Sequence, residues 1–239
     1  MRLDKLLSTM AIATRREIKE YAKKGKITVN GVVVKDASIK VNQNEDVICF
    51  NGEEVSYKEH IYVILNKPQG YITATKDNTK KTVLDILDKK YKKLFPVGRL
   101  DKDTEGLLIF TNNGKWAHDV LSPKKHVPKT YFAHIEGLVN NEDVLKFKEG
   151  LLIDEGYKCM PANLIIIESG EISKIEVTIF EGKYHQVKRM FKAVSKKVVF
   201  LKRIAMGGLI LDENLKIGEY KELTSEDVKK VTEDKFYNI

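Results

Sequence analysis

Cysteine is scarce: Cys49 and Cys159 lie too far apart for a zinc knuckle and are too few for a secreted disulfide scaffold, so both read as ordinary buried thiols. None of the five histidines has metal-ligand spacing. No apolar run approaches a membrane span, and Met1-Arg2-Leu3-Asp4-Lys5 offers no apolar stretch suited to export. The expectation is a soluble cytoplasmic protein with no metal and no membrane partner. Internal repeats and low-complexity segments are also missing, and 239 residues with 42% hydrophobic content leave ample length to bury a core. Acids are outnumbered, giving a net charge of +8, and an excess of that size favours a polyanionic partner, most commonly nucleic acid. From Gly182 to Leu211 no acid occurs at all, while Lys183, Lys188, Arg189, Lys192, Lys196, Lys197, Lys202 and Arg203 are basic, which marks a candidate polyanion site on a strand–helix–strand unit.

Residues 1–57 read as a small basic module. Leu3, Leu6, Leu7 and Met10 share one helical face. Thr14 with Glu17 forms a capping box that opens a second helix, whose Ile18, Tyr21 and Ala22 face inward and which Gly25 ends. Asn30-Gly31, between Ile27-Thr28-Val29 and Val32-Val33-Val34, is a strong hairpin signal, and Asn51-Gly52 repeats it after Val47-Ile48-Cys49-Phe50. Arg2, Lys5, Arg15, Arg16, Lys19, Lys23, Lys24 and Lys26 gather at the helical end against only Asp4, Glu17 and Glu20. That end is the candidate nucleic-acid contact.

The polar stretch Ser56-Tyr57-Lys58-Glu59-His60 marks a boundary. Beyond it, Ile61 to Leu65 is a buried-strand pattern ended by Asn66-Lys67-Pro68-Gln69-Gly70-Tyr71, and Thr82 to Leu87 reads as a helix. Trp116, Ala117, Val120 and Leu121 have helical spacing; Lys129 to Ile135 reads as a strand and Val144 to Lys148 as a helix. Ile175, Val177 and Ile179 alternate as a strand, Val187, Met190, Phe191 and Val194 share a helix face, and Thr224 with Asp227 caps a last short helix.

Amid these elements, Phe95-Pro96-Val97 enters a turn and Leu107 to Thr111 leaves it as a β-rich run, which puts Asp101 on a loop held at both ends. A carboxylate so placed can serve as a nucleophile if its neighbours keep it ionised. Other readings fit the same residues. An Asp before Thr and Gly is often a plain turn former. Asp101 to Gly106 imitates the start of a calcium loop, but the twelfth position, which must supply a bidentate Glu, is Asn112. An Asp-x-Asp phosphatase loop would want an apolar strand running into the first Asp, and Gly98-Arg99 interrupts it.

The order Arg2-Leu3-Asp4-Lys5, Thr14-Arg15-Arg16-Glu17 and Gly25-Lys26-Ile27-Thr28-Val29-Asn30-Gly31 resembles the S4 RNA-binding domain. Three further segments resemble, in order and separation, the three motifs of RNA pseudouridine synthases: Gly98 to Leu107, Lys129-Thr130-Tyr131, and Glu181-Gly182-Lys183-Tyr184-His185-Gln186-Val187-Lys188-Arg189-Met190. With Asn66 to Tyr71, Trp116, His118 and Ser122-Pro123, the resemblance is to the RsuA family and covers essentially the whole chain.

The resemblance implies an α+β protein: a small S4 (αL-type) domain over residues 1–57, then a catalytic domain over 60–239 with a mixed, mainly antiparallel β-sheet flanked by helices. It implies isomerisation of one uridine of 16S small-subunit ribosomal RNA, by family uridine 516, by a monomer that needs no cofactor. The partner would be the ribosomal RNA or a small-subunit assembly intermediate. Carried over residue by residue, Asp101 matches the catalytic aspartate, adding to the uracil ring or to ribose C1′. Lys188 matches its basic partner, with one more phosphate contact as the alternative. Tyr131 matches the active-site tyrosine, whose ring would stack on uracil and whose hydroxyl would help move the C5 proton. RNA contacts are expected at Arg2, Lys5, Arg15, Arg16, Lys23, Lys24, Lys26, Arg99, Lys183, Arg189 and Arg203. Lys183 departs from the family's Arg, so a bidentate phosphate grip is in doubt there. The alternatives are a large-subunit rRNA synthase and a non-catalytic S4-containing assembly factor. Deleting residues 1–57 is expected to weaken RNA binding and to flatten the plot of log K against log salt, measured by titration at several ionic strengths; an unchanged slope counts against the module.

Overall fold

Leucines at helical spacing start the fold. Leu3, Leu6 and Leu7 of α1 (Leu3–Thr9) bury completely against Ile18 and Ala22 of α2 (Arg15–Lys23). The computed structural model describes residues 1–232 apart from Ala11, Asn44 and Ser56, and for Glu155 the backbone alone; Ser56, in the expected linker, thus lies outside the described residues. Two compact units divide the chain, Met1–His60 and Ile61–Ile239.

In the first unit the capping box forms, with Glu17 Oε2 accepting from the Thr14 amide at 2.8 Å. Strands β1 (Ile27–Val29), β2 (Val32–Val33), β3 (Ile48–Phe50) and β4 (Glu53–Glu54) pair antiparallel in the order β2-β1-β3-β4. Asn30 and Gly31 both take positive φ, 52° and 80°, as the tight hairpin requires. Asp4 is 1% exposed and accepts from Arg2 Nη2 at 2.9 Å and Arg15 Nη2 at 2.8 Å. Burial alone would push this carboxyl up, but the two guanidinium groups overcome it and hold the pKa at about 2. Cys49 is half-buried, not buried as expected, because β3 shows one face to solvent.

The second unit is built on a sheet of nine strands among the described residues: β5 (Tyr62–Lys67), β6 (Phe95–Pro96), β7 (Glu105–Thr111), β8 (Lys129–Glu136), β11 (Asn163–Glu168), β12 (Ile172–Ile179), β13 (Lys197–Met206), β14 (Leu209–Ile210) and β15 (Tyr220–Glu222). A separate hairpin joins β9 (Leu152–Ile153) and β10 (Tyr157–Lys158). The main order is β11-β12-β8-β13-β7-β5-β15, mixed because β13 runs parallel to β7 while the other ladders are antiparallel. Helices α4 (Asn141–Glu149) and α5 (Gln186–Ala193) bury Phe147, Val187, Met190 and Phe191 among Ala133, Ile175 and Leu201 of the sheet. In a second core, α3 (Gly114–Leu121) packs Ala117 and Val120 with Ile64, Leu107 and Ile109, and α6 (Ser225–Lys230) follows its Thr224 cap just before Val231 joins that core. This is the expected α+β architecture.

One expected element changes. Thr82 to Leu87 makes only a 3₁₀ turn, Val83–Asp85, because a second 3₁₀ turn starts at Lys89 and carries Tyr91 and Leu94 into the same core as Val83 and Leu87. The parallel seam depends on Gly106: its φ is +98°, and a Cβ there would lie 2.2 Å from the Arg203 carbonyl oxygen.

Because Asp4's folded pKa lies below its ordinary 3.8, its contribution to stability is present above about pH 4 and is lost as pH falls toward 2. Asp4→Asn is expected to remove that acid dependence and to cost about 2 kcal/mol at neutral pH, read from denaturant melts across pH.

Candidate active site

The loop between β6 and β7 carries Asp101, and the backbone of that loop is held from below. Lys67, the last residue of β5, is fully buried, and its Nζ donates to the carbonyls of Pro68 (3.1 Å), Asp101 (3.0 Å) and Thr104 (2.9 Å). Burial draws its pKa down to about 8, against the opposing pull of Asp103, Asp101 and Glu105. Thr73 Oγ1 donates to the Leu100 carbonyl at 2.7 Å and accepts from the Leu100 amide at 3.1 Å, and the Gly70 amide donates to the Lys102 carbonyl. Four backbone positions of the loop are therefore fixed before any side chain is considered.

The side chains meet α5 at its N-terminal turn. Lys188 Nζ stands 3.2 Å from Asp101 Oδ2 and 2.6 Å from Asp103 Oδ1, and His185 Nε2 stands 3.4 Å from Asp101 Oδ1. Asp101 keeps 28% of its side chain exposed and Lys188 25%, so the pair is sheltered yet open to a ligand. Burial pulls Lys188 down, but the hydrogen bond to Asp103 and the charge of Asp101 outweigh it and raise its pKa above the ordinary value. Asp103 is held below its ordinary value, since the Lys188 bond overcomes the effect of burial.

The turn that aims Lys188 is built on Glu181 and Gln186, 9% and 3% exposed. Glu181 accepts from Tyr157 Oη (2.5 Å), the Met160 amide (3.0 Å) and Gln186 Nε2 (2.8 Å), while Gln186 Oε1 accepts from the Lys183 amide (2.9 Å). His185 takes the left-handed conformation, φ 49°.

Of the residues expected at the site, Asp101 and Lys188 are brought together. Tyr131 lies on β8, 8% exposed, pairs in register with Arg203 of β13, and shares a core with Leu100. Arg99 and Lys183 are exposed, with Lys183 Nζ 4.9 Å from the Tyr157 ring centroid. Arg189 bonds Asp154 at 2.7 Å. Arg203 does not fit an RNA contact: it is 2% exposed, and its Nε donates to the Leu107 carbonyl at 2.8 Å. Strand alternation puts it on the same inward face as Leu201, which a count of basic residues overlooks. In the first unit Lys5, Arg16, Lys23, Lys24 and Lys26 are exposed, while Arg2 and Arg15 clamp Asp4. Sequence reading missed Lys67, Thr73, Asp103 and Glu181. Lys67 left a trace as a lysine closing a strand that opens on an apolar run, and Asp103 and Glu181 stood inside the motif segments without a role. Among the described residues no three His, Cys, Asp or Glu side chains converge as a metal site, and no helix is long and apolar enough to cross a membrane.

The family model described as RNA pseudouridylate synthase matches residues 61–193, and that of the S4 domain matches residues 1–47. The uncharacterized RNA pseudouridine synthase YtzG of Bacillus subtilis (strain 168) is 46% identical, over 98% of this chain and 99% of that protein. Ribosomal small subunit pseudouridine synthase A of Yersinia pestis is 40% identical, over 97% and 98%. Ribosomal large subunit pseudouridine synthase B of Bacillus subtilis (strain 168) is 38% identical, over 96% and 95%. A crystal structure of a pseudouridylate synthase aligns with a TM-score of 0.68 at 37% identity, covering 97% of this chain and 99% of that one. An RNA-binding module joined to an RNA-modifying isomerase is the class these features define. The chain belongs to the RNA pseudouridylate synthase family and is an S4-containing RNA pseudouridine synthase.

Lys67→Met leaves three carbonyls, two of them in the Asp101 loop, without their donor. It is expected to lower stability by about 3 kcal/mol in thermal melts and to lower turnover as the Asp101 loop loosens; a wild-type melting temperature and rate would refute this role.

Proposed function

We propose that this protein converts one uridine of small-subunit 16S ribosomal RNA, uridine 516 by analogy, to pseudouridine, with Asp101 as nucleophile. The observation that carries the reading is the Lys188 ammonium 3.2 Å from the Asp101 carboxylate, in a sheltered but open position. The reaction breaks the bond between uracil N1 and ribose C1′, turns the base and joins C5 to C1′; N1 gains a proton and C5 loses one. No electrons are exchanged with an outside donor, so no cofactor is required.

The Lys188 ammonium faces the Asp101 carboxylate, which adds to the uracil ring or to C1′. Tyr131 supplies a ring for the extruded uracil and a hydroxyl for the C5 proton. Residues 1–57 grip structured RNA through Arg2, Lys5, Arg15, Arg16, Lys23, Lys24 and Lys26, and residues 60–239 carry the catalysis, with Arg99, Lys183 and Arg189 as further phosphate contacts. Both members of the ion pair belong to one chain, which favours a monomer, and a ribosomal substrate favours the cytoplasm. The small-subunit target is favoured by the Yersinia pestis relative. A large-subunit target is the second reading, favoured by the Bacillus subtilis relative of similar identity.

Asp101→Asn is expected to abolish pseudouridine formation on a small-subunit rRNA transcript while changing RNA affinity by less than about threefold. Equal product yield from the variant would refute Asp101 as the nucleophile, whereas an assembly factor without catalysis would give no product from wild type either. Mapping pseudouridines in both rRNAs from cells lacking the protein separates the two targets.

A further inference from the structure

Tyr184 is 70% exposed, yet little else about it is loose. Its ring lies on the His185 imidazole, with centroids 3.8 Å apart and planes 20° from parallel, and the edge of that same imidazole stands 3.4 Å from Asp101 Oδ1. Beneath the ring the backbone is pinned: the Tyr184 carbonyl accepts from Arg189 Nη1 at 3.2 Å, Arg189 is fixed by Asp154, and Gln186 closes the turn through the Lys183 amide. His185, whose ring carries the stack, takes the left-handed backbone conformation, φ 49°. One face of the tyrosine is covered by histidine, and the 70% exposure leaves the other face to solvent.

We propose that the outer face of Tyr184 is a stacking platform for the nucleobase next to the target uridine. This rests on the reading of Asp101 given above. A uridine drawn out of its stack leaves a neighbour with one bare face, and a flat aromatic ring stacked on the imidazole that borders the reacting carboxylate is placed to cover it. Beside the platform in the chain, Lys183 is exposed and able to meet an adjoining phosphate, while Lys188 and Arg189 are held by Asp101, Asp103 and Asp154. A ring already fixed in position loses little freedom when a base lands on it, and stacking tolerates any base. The pair Tyr184–His185 thus positions the RNA strand, while His185 touches the carboxylate directly.

The test compares wild type, Tyr184→Ala, Tyr184→Phe and Tyr184→Trp as full chains on a small-subunit and a large-subunit rRNA transcript, with melting temperatures checking the fold. Tyr184→Ala is expected to raise KM about tenfold or more, the range for losing one base–aromatic stack, with kcat within about twofold. Phe and Trp are expected to restore KM, and the salt slope of binding is expected to stay that of wild type, because no phosphate contact is removed. A KM for Tyr184→Ala within twofold of wild type overturns the platform, and so does a Tyr184→Phe defect as large as that of Ala. If wild type modifies neither transcript, the functional reading fails instead. Fluorescence anisotropy with the same transcripts then decides the platform: weaker binding by Tyr184→Ala supports it and equal binding overturns it.

Discussion

The site depends on one buried ammonium ion. Lys67 has three N–H donors, and the chain brings it three carbonyl oxygens, two of them from the loop that presents Asp101. Removing this charge from water is costly, and the fall of its pKa to about 8 expresses that cost. The outlay is offset by fixing the loop: with the carbonyls of Asp101 and Thr104 turned in toward Lys67, the carboxylates of Asp101 and Asp103 are left to meet α5. A neutral residue of the same length would leave those carbonyls without donors in a dry interior.

A second cation then acts from the other side. Lys188 does not form a closed pair with Asp101; it sits nearer to Asp103, at 2.6 Å against 3.2 Å. One ammonium shared between two carboxylates leaves neither fully neutralised. Glu181 and Tyr157 reach this balance indirectly, because they hold Gln186 and hence the turn from which Lys188 projects.

What the sequence made legible was local. The Thr14 and Thr224 capping boxes and the Asn30-Gly31 hairpin appear where their residues stand, because each is specified by a few neighbours in the chain. The loop position of Asp101 was legible from the apolar runs on either side of it, and its partner Lys188 from the family motifs. The rest is tertiary. Nothing near Thr73 announces that it will hold Leu100, and Arg203 reads as one more surface cation until strand alternation turns it inward. Thr82 to Leu87 has the composition of a helix, yet one core draws in Val83, Leu87, Tyr91 and Leu94 together, and two short turns satisfy that demand where one helix would not.

The seam between β7 and β13 has a consequence for biosynthesis. It joins the two halves of the sheet through only Lys202 opposite Glu105 and Arg203 opposite Gly106, and the bond from Arg203 to Leu107 spans 96 positions. A chain growing from its N-terminus exposes the Asp101 loop long before α5 and β13 exist to meet it. Contacts this distant along the chain are late and slow to close. The nascent polypeptide therefore carries that carboxylate without Lys188 until α5 has been made.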